Sequence, residues 1–177
     1  MKKMHFELRI LIILALLAAI GAVFKAFVSV DLFLGGLKIV DLSLVALPVM
    51  LAGIYFGPLA GGLVGFVAET AGFFMTPTGA YNPVFSFIMA LLGVIAGLFY
   101  LKSKTTTVWK TIGMDVITQL LCSAVLTTLA ITLFYPVPLI ALLPGRGIGT
   151  AIKIPLLIVL LTILIERLRP VVVRRRG

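Results

Sequence analysis

Residues 10–30 read ILIILALLAAIGAVFKAFVSV, and Lys25 is the only charge in the run. A helix needs about 20 apolar residues to cross a hydrocarbon layer of about 30 Å, and this stretch supplies them. The segment Met1–Arg9 before it is basic, like the start of a secretory signal. No small-residue cleavage site with a polar mature domain follows, so the run reads as a retained membrane helix. Five further runs extend the pattern: residues 42–56, closed by the turn signal Gly57-Pro58; 58–75, with Glu69 inside; 83–101; 111–135; and 147–165. The second is short for a span. The expectation is one all-α membrane domain over residues 1–177, a polytopic bundle of six transmembrane helices.

Composition supports lipid as the solvent. Hydrophobic residues make up 62% of the chain and charged residues 12%, where soluble domains carry about 25% charged residues. A water-soluble globule of 177 residues could not cover its surface with so few. The formal charge of +9 does not point to nucleic acid, because the basic residues sit at the ends of apolar runs and form no aromatic-studded patch. Lys2, Lys3 and Arg9 precede the first run, Lys102, Lys104 and Lys110 flank the fourth and fifth, and Arg167, Arg169, Arg174, Arg175 and Arg176 follow the sixth. Basic residues concentrate on the cytoplasmic side. Six spans put all three clusters there, with both termini cytoplasmic. Three segments then face outward: Val30 to Asp41, Thr76 to Asn82, and Pro136 to Arg146. They carry Asp31, Lys38, Asp41, Tyr81, Asn82 and Arg146 among glycines and prolines, and read either as binding loops or as ordinary connectors. Cys122 stands alone, so no disulfide contributes and the residue reads as a small core side chain.

Catalytic equipment is sparse. The chain has no phosphate-binding G-x-x-x-x-G-K-[ST], no H-E-x-x-H and no Cys/His cluster, and His5 is its one histidine. ATP-driven work must therefore come from a partner. Ionisable residues inside spans are costly and mark function or pairing; here they are Lys25, Glu69, Asp115 and Lys153. In one reading Glu69 pairs with Lys25 or Lys153 inside the bundle. In the other, these groups join Arg146 as the polar contacts of a ligand pocket near the outer face, where a guanidinium suits a ligand carboxylate. Asp115 and Gln119, one turn apart, read as structural. The first helix carries Ala15, Ala18, Ala19, Ala22 and Ala26, a small-residue face for close helix packing against a partner or within the bundle. Gly61, Gly62 and Gly65 admit the same two readings.

At these residues the chain resembles the substrate-binding S components of energy-coupling factor (ECF) vitamin transporters, and within them the folate-type branch. The resemblance covers nearly the whole chain. It rests on Ala15 and Ala19; on Leu47-Pro48 through Tyr55-Phe56-Gly57-Pro58 with Gly61, Gly62 and Gly65; on Pro77-Thr78-Gly79-Ala80-Tyr81-Asn82-Pro83; and on Leu142-Leu143-Pro144-Gly145-Arg146 followed by Pro155. It implies a six-helix subunit of a prokaryotic plasma membrane that binds a vitamin near the extracellular face. The subunit would bind no cofactor and would work with a transmembrane coupling subunit and two ATPase subunits, meeting the coupling subunit through Ala15, Ala19 and Ala22.

For a folate, Arg146, Lys38 or Lys153 would hold the glutamate carboxylates, Tyr81 or Phe85 would stack on the pterin, and Glu69 would accept its N–H donors. Lys25, Thr78 and Asn82 complete the expected site. Folate-type relatives tend to show Phe-Pro-Gly-Phe-Thr where this chain has Asn82-Pro83-Val84-Phe85-Ser86, so another vitamin or precursor is an alternative ligand. A structural subunit of cell-wall machinery is an alternative of another class. A membrane-embedded enzyme is disfavoured, because acid–base chemistry usually recruits a positioned His or paired carboxylates.

Overall fold

A computed structural model describes the backbone of residues 2–28, 30–34, 37–77, 81–101, 108–134 and 139–173, and the side-chain surroundings of residues 8–28, 43–77, 81–100, 109–134 and 147–167. Helix α1 (Lys2–Val23) runs into a π-helical turn, Phe24–Val28. Strands β1 (Val30–Leu34) and β2 (Leu37–Leu42) form an antiparallel hairpin. Helices α2 (Ala46–Phe56), α3 (Pro58–Met75) and α4 (Pro83–Leu101) follow. The next rod is composite: α5 (Val108–Thr118), a π-helical stretch Gln119–Leu126, and α6 (Thr127–Phe134). Helix α7 (Leu139–Val173) closes the chain.

Among the described residues, five helical segments have the length and hydropathy to cross a membrane: Leu8–Val28, Pro58–Met75, Pro83–Tyr100, Trp109–Phe134 and Gly147–Arg167. They match the expected runs closely. Helix α2 differs, since its 11 residues reach about 16 Å at 1.5 Å per residue. It is a short interior helix, buried from Ala46 to Gly53. The segment before it, expected as a loop, is the β1–β2 hairpin, in which Asp31 pairs with Asp41 and a register shift follows Leu32. The segment Pro136–Arg146, also expected as a loop, is helical from Leu139 onward. The helix runs through Pro144 and Gly145 and so extends beyond the expected span at its N-terminal end.

Small residues set how closely the helices approach. A single residue, Gly57, joins α2 to α3 with φ +99°, a conformation that L side chains rarely adopt. Beyond this corner α3 and α4 meet backbone to backbone. A Cβ on Gly61 would lie 2.5 Å from the Gly93 carbonyl oxygen and 2.7 Å from Gly53 Cα. Gly61, Gly62 and Gly65 are therefore intramolecular packing positions. Helix α1 runs beside α3 in the same direction: Gly21 abuts Ala68, and Gly72 abuts Lys25. The core gathers Val45, Val49, Met50, Val64, Ala96, Met114, Leu157 and Leu161. The outer surface is apolar too, with Leu11, Leu59, Phe87, Leu129 and Ile163 exposed, as a lipid-facing bundle requires.

Candidate functional site

One ion pair lies between α1 and α3. Lys25, on the π turn that ends α1, places Nζ 2.8 Å from Glu69 Oε1 of α3, with side chains 18% and 9% exposed. Of the two partners open to Glu69, the structure selects Lys25. The fit depends on Gly72, because a Cβ there would meet Lys25 Cβ at 2.5 Å and Cγ at 2.6 Å. The second carboxylate oxygen, Glu69 Oε2, is buried and has no hydrogen-bond partner among the described residues. A buried carboxylate oxygen without a donor is costly, so this atom is poised for one.

Beside the pair lies a knot of hydroxyls and rings. Tyr81 Oη is 3.1 Å from Thr70 Oγ1 and 3.0 Å from Ser86 Oγ, and Thr70 donates to Ser86 at 2.9 Å. The Tyr81 ring stacks on Phe74 at a centroid distance of 5.3 Å and tilts against Phe73 at the same distance. Tyr81 thus clamps the segment between α3 and α4 to both helices. Asn82 Oδ1 accepts the Val84 N–H at 3.1 Å, capping α4 where Pro83 occupies the first turn. Phe85 is half-buried on that turn. Thr78 lies outside the described residues.

The remaining cations approach from the other side. Strand β2, which carries Lys38, lies against α7, which carries Arg146 and Lys153. Their helix and strand are brought together; the side chains of Lys38 and Arg146 are outside the described set. Lys153 is 5% exposed, and its charge acts on Asp115 of α5. Asp115 and Gln119 are fully buried. Sequence reasoning treated these two as structural and did not anticipate that Lys153 would be Asp115's electrostatic partner. The signal was available in the need of any buried carboxylate for a cation. On α1 the small-residue face divides. Ala15 and Ala19 are exposed, whereas Ala18 and Ala22 pack into the bundle.

The model of the family "ECF transporter, substrate-specific component" matches residues 9–166. The chain belongs to that family. This substrate-specific component is 28% identical over 114 residues to the folate transporter FolT of Clostridium novyi (strain NT), an alignment that covers 64% of this chain and 63% of the relative. The aligned stretch is thus under two thirds of that relative's length. A solved structure, FolT bound with folic acid, superposes with a TM-score of 0.77 at 28% identity, covering 89% of this chain and 92% of the other. The S component of a bacterial ECF transporter gives a TM-score of 0.62 at 22% identity over 92% and 98% of the two chains, a likeness of fold. As a substrate-specific component with these apolar helices, the protein is a multi-pass protein of the prokaryotic plasma membrane.

Proposed function

We propose that this substrate-specific component captures a folate at the hairpin end of the bundle. The observation that carries the proposal is the solved relative holding folic acid, alike over nine-tenths of the fold at 28% identity. The residues fit such a cargo. Arg146, Lys38 and Lys153 lie on the abutting β2 and α7 and match the two carboxylates of the glutamate tail. Phe85 and Tyr81 bring aromatic surface to the pterin, Lys25 and Glu69 bring polar contacts within the bundle, and Thr78 and Asn82 belong to the chain segment that joins α3 to α4.

The cytoplasmic face is the one bearing the basic clusters, so capture takes place outside the cell. Delivery belongs to partners: a transmembrane coupling subunit meeting α1 at Ala15 and Ala19, and two ATPase subunits. Ala22 contributes from within the bundle. The chain itself catalyses nothing and binds neither ATP nor another cofactor. Purified protein titrated with folic acid should be stabilised by about 2.7 kcal/mol at 100 times the dissociation constant. Absence of any shift with folic acid, alongside a shift with another vitamin, would replace the cargo and keep the capture role.

A further inference from the structure

The seam between α5 and α7 is built unlike the contact between α3 and α4. There glycine backbones touch; here buried polar side chains meet. Asp115 lies seven residues after Val108, the first residue of α5, which is about 10 Å along the helix. Asp115 and Gln119 are each 0% exposed, and a spacing of four puts them on one face. Gln119 also opens the π-helical stretch, a distortion frequent at functional sites. Lys153 of α7 is 5% exposed, and both it and Gln119 act on the Asp115 charge. Four atoms are nevertheless left over: the two carboxylate oxygens of Asp115 and the amide oxygen and nitrogen of Gln119 have no hydrogen-bond partner among the described residues.

The neighbouring hydroxyls are engaged elsewhere. Thr118 donates to the Met114 and Asp115 carbonyls at 2.8 and 3.0 Å, and Thr111, one turn before Asp115, shares a 2.7 Å bond with Tyr100. Leaving so many buried polar atoms unsatisfied would remove a large share of a domain's net stability. Whatever satisfies them must donate to the three oxygens and accept from the amide nitrogen. Water does both, and one buried water makes about three hydrogen bonds. Charge argues against a metal ion, because Asp115 and Lys153 already cancel and an added cation would leave a net buried charge. A cation also gives the Gln119 nitrogen no acceptor. We propose that Asp115, Gln119 and Lys153 form an internal water site that joins α5 to α7 through bridging water. The site does not depend on which vitamin the bundle carries, and Lys153 is its one residue shared with the proposed cargo contacts. It makes the α5–α7 seam a wet contact beside the dry glycine contact of α3 and α4.

The test is X-ray radiolytic labelling of the purified full chain in lipid nanodiscs, read by mass spectrometry. Radiolysis turns bound water into hydroxyl radicals, which oxidise a methionine beside it to the sulfoxide. Met114 adjoins Asp115 in sequence, and Met50 lies in the core with Val45 and Val49; both methionines are 0% exposed. They share chemistry and burial, so what distinguishes Met114 is its polar neighbour. Wild-type Met114 should be oxidised several-fold faster than Met50. In Asp115→Leu/Gln119→Leu/Lys153→Met, which replaces the polar trio by apolar groups, Met114 should fall to the Met50 rate. Asp115→Asn, which still hydrogen-bonds water, should keep the wild-type ratio. Equal rates at Met114 and Met50 in wild type would overturn the proposal, and that comparison requires no variant to fold. So would a Met114 rate unchanged in the triple variant. Exchanging sodium and potassium for choline at equal ionic strength should alter neither the labelling nor the melting temperature; a loss of either would assign the site to a metal ion and overturn the water assignment.

Discussion

The backbone contact between α3 and α4 yields a prediction in which one substitution has opposite effects at two sites. Gly→Ala within a helix gains about 1 kcal/mol from reduced backbone freedom in the unfolded chain. At Gly113 on α5 nothing lies within 4 Å of the added methyl, so Gly113→Ala should keep the whole gain. At Gly61 the methyl would lie 2.5 Å from the Gly93 carbonyl oxygen and 2.7 Å from Gly53 Cα. Both are backbone atoms, so relief requires the helices to separate, and overpacking of this kind costs about 1–3 kcal/mol. Gly61→Ala should therefore range from neutral to about 2 kcal/mol less stable, and the two variants should differ by about 1–3 kcal/mol. For a chain of this size that is roughly 2–12 °C in melting temperature. Cys122, which is fully buried, provides the assay: a thiol-reactive fluorophore in a fixed detergent reports unfolding during a thermal ramp. Equal shifts for the two variants would refute the close α3–α4 approach.

Other outcomes follow from contacts already described. Lys25→Met should destabilise the chain by about 3–5 kcal/mol by stranding Glu69, and adding Glu69→Met should restore much of the loss; a double variant no better than the single would contradict a direct pair, with denaturation as the measure. Tyr100 and Thr111 share a buried hydrogen bond of 2.7 Å, so Tyr100→Phe should lower stability by about 1 kcal/mol, read as a fall in melting temperature. Ala19→Leu, at an exposed position, should leave folic acid affinity unchanged while weakening co-purification with a coupling subunit; Ala22→Leu, at a buried one, should lower the melting temperature instead. Arg146→Ala should weaken folic acid more than a tail-lacking analogue in isothermal titration, and equal weakening of the two would remove Arg146 from the carboxylate contacts.

The long apolar runs were legible because hydrocarbon imposes a length and a composition on anything that crosses it. Helices α3 and α4 end where residues 58–75 and 83–101 were expected to end, each opened by a proline that suits a first turn. The hairpin was hidden by treating residues 30–41 as a polar loop. Its signal was present in two short runs with β-branched and aromatic members, separated by Gly35-Gly36. The early start of α7 was hidden for the opposite reason. Pro144 and Gly145 are breakers by local propensity, yet α7 continues through both. At the candidate site, the sequence named the ionisable residues but left two partners open for Glu69. Only the side-by-side course of α1 and α3, with Gly72 facing Lys25, decides between them.

The composite rod of α5 and α6 carries a consequence for how this chain tolerates insertion and loss. In the π stretch Gln119–Leu126 the Thr127 N–H bonds back to the Cys122 carbonyl, five residues away, so each turn there holds more residues than an α turn. The stretch accommodates surplus residues between two otherwise regular halves. Deleting one residue within it would let the hydrogen bonds revert to the ordinary ladder at little expense in length. Because the wide turns take up the surplus residue, everything beyond would keep close to its present facing, and Thr128 and Ala130, which are buried, would stay turned inward.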